Sequence, residues 1–179
     1  MCVKKLNLGC GRTVRQGWIN LDMAALPGVD VVYDLENVPL PFKDEQFDEI
    51  RCDAVLEHIE YIPVLKDLFR ILKKGGKIRI RVPHFTSRNN YRDPTHKKLF
   101  SIDTFDFFVE KQTDKDYYFD FHFSKITYRK IKFFKKGLFW GNRLIEPLIN
   151  LSRRMQCLYE STFLCRLFPA NHIVVELIK

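Results

Sequence analysis

The 179-residue chain is short of the features that mark secreted, membrane-spanning and metal-clustered proteins. Its cysteines number five, Cys2, Cys10, Cys52, Cys157 and Cys165, an odd count without a single C-x-x-C pair. That pattern supports neither a disulfide framework nor a zinc site, and no metal centre is expected. The cysteines read instead as small buried apolar residues in a reducing compartment. No apolar run approaches the roughly 18 residues that a membrane-spanning helix needs. The opening Met1-Cys2-Val3-Lys4-Lys5 runs straight into Leu6-Asn7-Leu8, which leaves no room for a signal-peptide core, so a cytoplasmic protein is expected. Internal repeats, low-complexity linkers and recognised nucleic-acid modules are all missing, and nucleic acid is not an expected partner.

What the chain does contain is ordinary globular material. Hydrophobic residues make up 46% and charged residues 29%, which excludes wholesale disorder, and phenylalanine is heavily used, with 16 copies. The length suits one domain with its own core. The net charge of +8 is unevenly placed: the last 59 residues hold 11 basic and 3 acidic side chains and account for the whole excess. Such a localised basic surface suits an anionic partner, or is simply a solvated face.

Short strands are predicted at residues 3–8 (VKKLNL), 18–22 (WINLD), 29–34 (VDVVYD) and 47–52 (FDEIRC). A helix is predicted over 55–73. In it Leu65, Leu68, Phe69 and Leu72 share a face, Lys73-Lys74 suit the C-terminal dipole, and Gly75-Gly76 provide a stop. Residues 77–82 (KIRIRV) alternate as a fifth strand. Asp103 is a candidate cap for a short helix over 104–110. Strands are expected at 122–134 and 172–178, with helical spacing over 138–168 between them. One α/β domain with a helical insertion before its last strand follows, built on a largely parallel sheet.

In such sheets ligands sit at the carboxyl ends of the strands. After the first strand stand Gly9-Cys10-Gly11, and glycines let a backbone approach a ligand closely. A dinucleotide fingerprint would want a third glycine where Val14 stands. Only Arg12 to Gly17 separate this loop from the second strand, too few for an ordinary crossover helix. The second strand ends at Asp22, whose carboxylate can accept both hydroxyls of a ribose. The third ends at Asp34-Leu35, a carboxylate beside an apolar side chain that suits an adenine.

The runs LNLGCG (6–11), WINLD (18–22), VVYDLE (31–36), VLEHI (55–59) and LKKGGKIRIRVP (72–83) resemble those of the class I S-adenosylmethionine-dependent methyltransferases. DPTHK (93–97) and the C-terminal YESTF, LFPA and VVELIK resemble a compact branch of predicted methyltransferases associated with cell-surface polysaccharide biosynthesis. The resemblance implies a Rossmann-like sheet, mostly parallel with an antiparallel last strand and the first helix reduced or lost. It implies S-adenosyl-L-methionine as cofactor and a small-molecule or glycan acceptor, a sugar or lipid-linked hydroxyl or carboxyl. Carried over by position, Asn7, Gly9, Cys10 and Gly11 would hold the methionine end. Asp22 would take the ribose with Met23 beside the adenine. Asp34 and Leu35 would contact adenine, and Cys52 and Asp53 would border the methionine.

Methyl transfer is mostly a matter of positioning, and a general base is needed only when the acceptor loses a proton. His84, directly after the fifth strand, is the first candidate for that base, followed by His58 and His96. Tyr91 and Arg92 are candidates to orient a polar substrate. Two rival readings remain: a non-catalytic cofactor-binding or interaction module of the same fold, and a nicotinamide oxidoreductase, against which Val14 and the short crossover argue. In the C-terminal part, six basic residues interleave with aromatics over 125–136, and Phe139, Trp140, Leu144 and Leu148 accompany Arg143, Arg153 and Arg154. This stretch fits a basic amphipathic surface for an anionic membrane, a lid over the acceptor, or plain core packing.

Overall fold

A computed structural model describes residues 3–110 and 116–179; Cys2 lies outside them. Seven strands form one sheet in the order β3-β2-β1-β4-β5-β7-β6. They are β1 (Lys5–Leu8), β2 (Ile19–Asp22), β3 (Val31–Val32), β4 (Phe47–Asp53), β5 (Leu72–Pro83), β6 (Lys125–Phe133) and β7 (Ala170–Ile178). The first five strands run parallel to their neighbours, and β7 alone is antiparallel, to β5 on one side and β6 on the other. The α/β class, the mostly parallel sheet and the antiparallel last strand are as the sequence implied.

The first helix is indeed lost, and the loss is larger than expected: no helix stands between β1 and β4 among the described residues. Side chains brace the short β1–β2 link in its place. Asn7 Nδ2 donates to the Thr13 carbonyl at 2.9 Å and to Asn20 Oδ1 at 3.0 Å, and Asn20 Oδ1 also accepts from the Arg15 N–H at 2.9 Å. A consequence shows in the alternation along β4 and β5. Ile50, Cys52, Ile78, Ile80 and Val82 are buried on one face. The opposite face carries Glu49, Arg51, Asp53, Lys77, Arg79 and Arg81, with ion pairs such as Arg51–Asp53 at 2.6 Å and Lys77–Glu49 at 3.7 Å. Parallel sheets are usually covered on both faces; here charge replaces the missing cover.

The helix expected over 55–73 is corrected at both ends. α1 spans only Tyr61–Ile71. Pro63 is the reason for the late start: inside a longer helix its ring would clash with an earlier carbonyl, whereas in a first turn it is tolerated. At the other end Leu72 is already extended and pairs with Phe47, so Lys73-Lys74 and Gly75-Gly76 belong to β5 and form an irregularity in its pairing with β4. Val64, Leu65, Leu68 and Ile71 bury the inner face of α1 in a core continued by Phe100, Phe105, Phe108, Phe121 and Phe123. Asp103 does hold the N-cap position expected of it, but its side chain makes no capping hydrogen bond. Its carboxylate pairs with Arg153 and Arg129 beside a short 3-10 turn over Thr104–Phe108.

After a single helical turn, α2 (Asn89–Arg92), the remaining helices α3 (Asn142–Ile149), α4 (Arg153–Ser161) and α5 (Leu164–Leu167) lie between β6 and β7. Helix α3 buries polar side chains beside apolar ones. Asn142 and Glu146, with Asn150 just beyond, are buried along with Ile149. The polar side chains bond the backbone of the β6 edge and its continuation: Glu146 Oε2 accepts the Phe133 N–H at 3.1 Å, and Asn150 Oδ1 accepts the Ile131 N–H at 2.9 Å. Lys132 and Lys135 both reach Glu146 at 2.9 Å and hold its carboxyl below the usual range against the opposing effect of burial. A covered edge cannot recruit another strand. The leucines are left outside, with Leu144 at 68% and Leu148 at 57% exposure.

Candidate active site

The glycine loop follows β1 directly, and its two glycines do different work. Gly9 has φ +59°, and a Cβ built on it would lie 2.3 Å from Val55 Cγ2. Its role is therefore close packing against the turn after β4. Gly11 has φ +49°, and a Cβ there would meet nothing within 4 Å, so the loop is open to a ligand at that point. The Gly11 N–H donates to Asp22 Oδ2 at 2.7 Å and the Ala24 N–H to Asp22 Oδ1 at 3.0 Å, which ties the ends of β1 and β2 together. Asp34, exposed, accepts the Glu36 N–H at 3.0 Å, and Met23 is 73% exposed.

Several of the residues expected around the cofactor turn their side chains inward. Asn7 is buried and braces the loop, as described above. Leu35 and Cys52 belong to the hydrophobic core. Cys10 is buried as well, with its thiol toward the Gly11 carbonyl at 3.6 Å. Burial pushes both thiols up, that of Cys52 well above the usual range, so neither is a reactive thiolate. Contacts from these four to a ligand would run through main chain. Asp53 stands among Arg51, Arg15 and Arg81, at 2.6, 3.7 and 3.5 Å.

A cleft of about 550 Å³ is walled not by the glycine loop but by residues at the carboxyl ends of β4 and β5 and the start of β7, among them Glu57, His58, Arg81, Asp93, His96 and His172. The DPTHK run is brought here by the backbone: the N–H groups of Lys97 and Lys98 donate to the Glu57 carbonyl at 2.7 and 3.2 Å. The rings of His58 and His96 then meet edge to face, with centroids 4.6 Å apart. His58 Nδ1 lies 2.8 Å from Thr95 Oγ1, which donates to Asp93 Oδ1 at 2.6 Å. Glu57 is fully buried, and neither carboxylate oxygen has a hydrogen-bond partner among the described residues. Burial pushes its carboxyl up to about 7, with the Arg81 charge acting the other way. Burial and the neighbouring His58 hold His96 down, which favours the neutral ring.

His84 is a correction. It is fully buried, its Nδ1 lies 2.7 Å from Thr86 Oγ1 and its Nε2 3.0 Å from Glu160 Oε1, and it stacks on Phe85. Both of its ring nitrogens are engaged inside the core. It fastens the end of β5 to α4. Tyr91 is 76% exposed, while Arg92 lines the cleft. Sequence reasoning passed over Glu57, Arg81 and His172. Glu57 sits in an apolar run, VLEHI, and its only signal was a carboxylate where the chain leaves β4.

Residues 11–80 match the methyltransferase domain family. Among solved structures, a SAM-dependent methyltransferase from Archaeoglobus fulgidus superposes with a TM-score of 0.61 at 20% identity, covering 99% of this chain and 86% of that one. The fold is that of the class I methyltransferases. The phosphoethanolamine N-methyltransferase 2 of Haemonchus contortus, solved in complex with S-adenosyl-L-methionine, shares this methyltransferase fold, with a TM-score of 0.61 at 18% identity over 99% of this chain and 48% of that one. An uncharacterized Methanocaldococcus jannaschii protein is 37% identical over a stretch that covers 37% of this chain. That stretch spans only 33% of the relative's own length. The glycine loop, Asp22 and Asp34 stand on the β1–β3 half of the sheet. The cleft opens on the β4–β5–β7 half beside them.

Proposed function

We propose that the protein is an S-adenosylmethionine-dependent methyltransferase. The cofactor would lie over Gly11, Asp22 and Asp34, and the acceptor would occupy the neighbouring cleft. The observation that carries this reading is the open approach at Gly11 next to the carboxylate of Asp22. A carboxylate has about four lone-pair sites. Asp22 gives two to backbone N–H groups, which leaves room for the vicinal hydroxyls of a ribose. Acidic strand ends suit a nucleoside that carries a cation. A dinucleotide would want a helix N-terminus for its phosphates, and none follows this loop. S-Adenosylmethionine bound there supplies a methyl group on a cationic sulfonium. The chain's own part is to orient the acceptor and exclude water, which is where most of the rate comes from.

The acceptor would be a hydroxyl or carboxyl of a sugar or lipid-linked glycan. Asn89, Arg92, Asp93 and Asn171 line the cleft and offer donors and acceptors for a polyhydroxylated ligand. The histidines able to face it are His58 and His96, not His84. Calorimetry with S-adenosylhomocysteine tests the cofactor assignment. Asp22→Ala is expected to weaken binding by about 1.5–3 kcal/mol, the scale for losing a charged hydrogen-bond partner. Lack of binding to folded wild type at millimolar ligand would overturn the reading. Binding without turnover on any glycan acceptor would favour the non-catalytic module.

A second reading concerns location. The exposed Trp140, Leu144, Leu148 and Leu151 stand beside Lys136, Arg143 and Arg154 in the basic part of the chain. This combination supports reversible docking on an anionic membrane, where each nearby basic side chain adds on the order of 1 kcal/mol. No helix of the described residues is long and apolar enough to cross a membrane.

A further inference from the structure

We propose that Glu57, His58 and His96 bind a single divalent transition-metal cation, of the zinc type, in the wall of the cleft. One ligand atom from each of the three lies within 4.8 Å of the others. Around a tetrahedral cation with bonds of about 2.0–2.2 Å, ligand atoms stand ~3.3–3.6 Å apart, so the trio need close by at most about 1.5 Å, within reach of side-chain rotations. The cluster is also built in the way a cation site requires. Glu57 is fully buried, and both its oxygens lack a hydrogen-bond partner among the described residues. The His96 side chain is 7% exposed, and its Nδ1 likewise has no partner among the described residues. Buried polar atoms without partners are costly and uncommon, and two such groups in one tight cluster call for a shared positive centre.

The outer contacts agree with this assignment. His58 Nδ1 is held by Thr95 Oγ1, and Thr95 in turn by Asp93, which orients the ring and leaves Nε2 as the donor. On His96 the other nitrogen, Nε2, stands 3.8 Å from Asp93 Oδ2. Metal-bound imidazoles characteristically engage their second nitrogen in this way. Two imidazoles and one carboxylate select a borderline transition metal over magnesium or calcium, which prefer all-oxygen shells. Three protein ligands leave a coordination position open toward the cleft, the arrangement of a catalytic rather than a structural ion. The expectation of no metal centre rested on cysteine spacing, which carries no information about a glutamate and two histidines that meet only in the fold. Resting on the methyltransferase reading, one further step follows: the open position would hold the acceptor oxygen and acidify its hydroxyl.

The test is a titration of chelator-stripped protein with zinc chloride by calorimetry, and with cobalt chloride by visible absorption, which reports nitrogen and oxygen ligands directly. Wild type is expected to take up one equivalent. Glu57→Gln, His58→Gln and His96→Gln should each weaken uptake at least tenfold and change the cobalt spectrum, while His122→Gln should not. Folding of every variant is checked by circular dichroism, and if the buried Glu57→Gln fails to fold, the two histidine variants carry the test. Absence of saturable one-equivalent binding, or equal affinity of the folded variants and wild type, would overturn the proposal. S-Adenosylhomocysteine is titrated into the same samples. Cofactor binding without metal binding would refute the metal site alone, and metal binding without cofactor binding would refute the methyltransferase reading alone.

Discussion

The two glycines of the β1 loop can be separated by one pair of substitutions. Both have positive φ, so alanine at either costs about 1–2 kcal/mol in backbone strain. At Gly11 that is the whole stability cost, because the new methyl meets no atom within 4 Å. At Gly9 the methyl would stand 2.3 Å from Val55 Cγ2, well inside contact distance, and Val55 is itself buried in the core. Overpacking of this kind costs about 1–3 kcal/mol more. Gly9→Ala is therefore expected to lose about 2–5 kcal/mol, a large part of a typical domain's stability. Urea unfolding followed by circular dichroism measures both losses. The clash has a specific cure: in a Gly9→Ala background, Val55→Ala should cost less than in wild type, or even restore stability. Binding should show the opposite order. Gly11→Ala, the less destabilised of the two, should lose S-adenosylhomocysteine affinity because its methyl fills the approach. Equal destabilisation by the two alanines, with no coupling between positions 9 and 55, would refute the packing argument.

Three further outcomes follow from the side-chain environments. His84→Ala should cost stability, about 2–4 kcal/mol for an opened buried site, yet leave turnover per folded molecule unchanged, and a selective fall in turnover in a stably folded variant would return His84 to the chemistry. His172 is held down to about 4 by burial first and by the charges of Arg81 and Lys132. Its neutral form is the folded form, so its contribution to stability is complete above pH 6.5 and is lost as the pH falls from 6.5 toward 4. At 1.36 kcal/mol per unit, wild type should lose up to about 3 kcal/mol relative to His172→Gln over that window, and parallel pH profiles for the two proteins would contradict the assignment. Finally, Leu144→Ser with Leu148→Ser should leave unfolding nearly unchanged, since both side chains are exposed, but should abolish co-sedimentation with anionic vesicles at low salt. Wild type remaining in the supernatant would rule the membrane reading out.

The sequence by itself determined the strands, the loop after β1 and the loss of the first helix. Those are local properties: period-two alternation in KIRIRV, glycines at 9 and 11, and a link too short to hold a crossover helix are all visible within a few residues. It also carried the start of α1, since Pro63 stands in plain view, though the apolar period around it outweighed the proline in the reading. Only the tertiary structure decided which groups face the cleft. His84 follows β5 as a site residue should, but Thr86 and Glu160 close over it, and Glu160 comes from a helix 76 residues away. Glu57 and His96 lie far apart in the chain and meet because the Lys97 and Lys98 amides fold back onto the Glu57 carbonyl. Helix α3 makes the same point. Its spacing left a membrane surface, a lid and core packing open, and the fold decided which side chains go inside: the backbone of the β6 edge takes Glu146 and Asn150, because an unpaired edge strand in the protein costs more than exposed leucine on its surface.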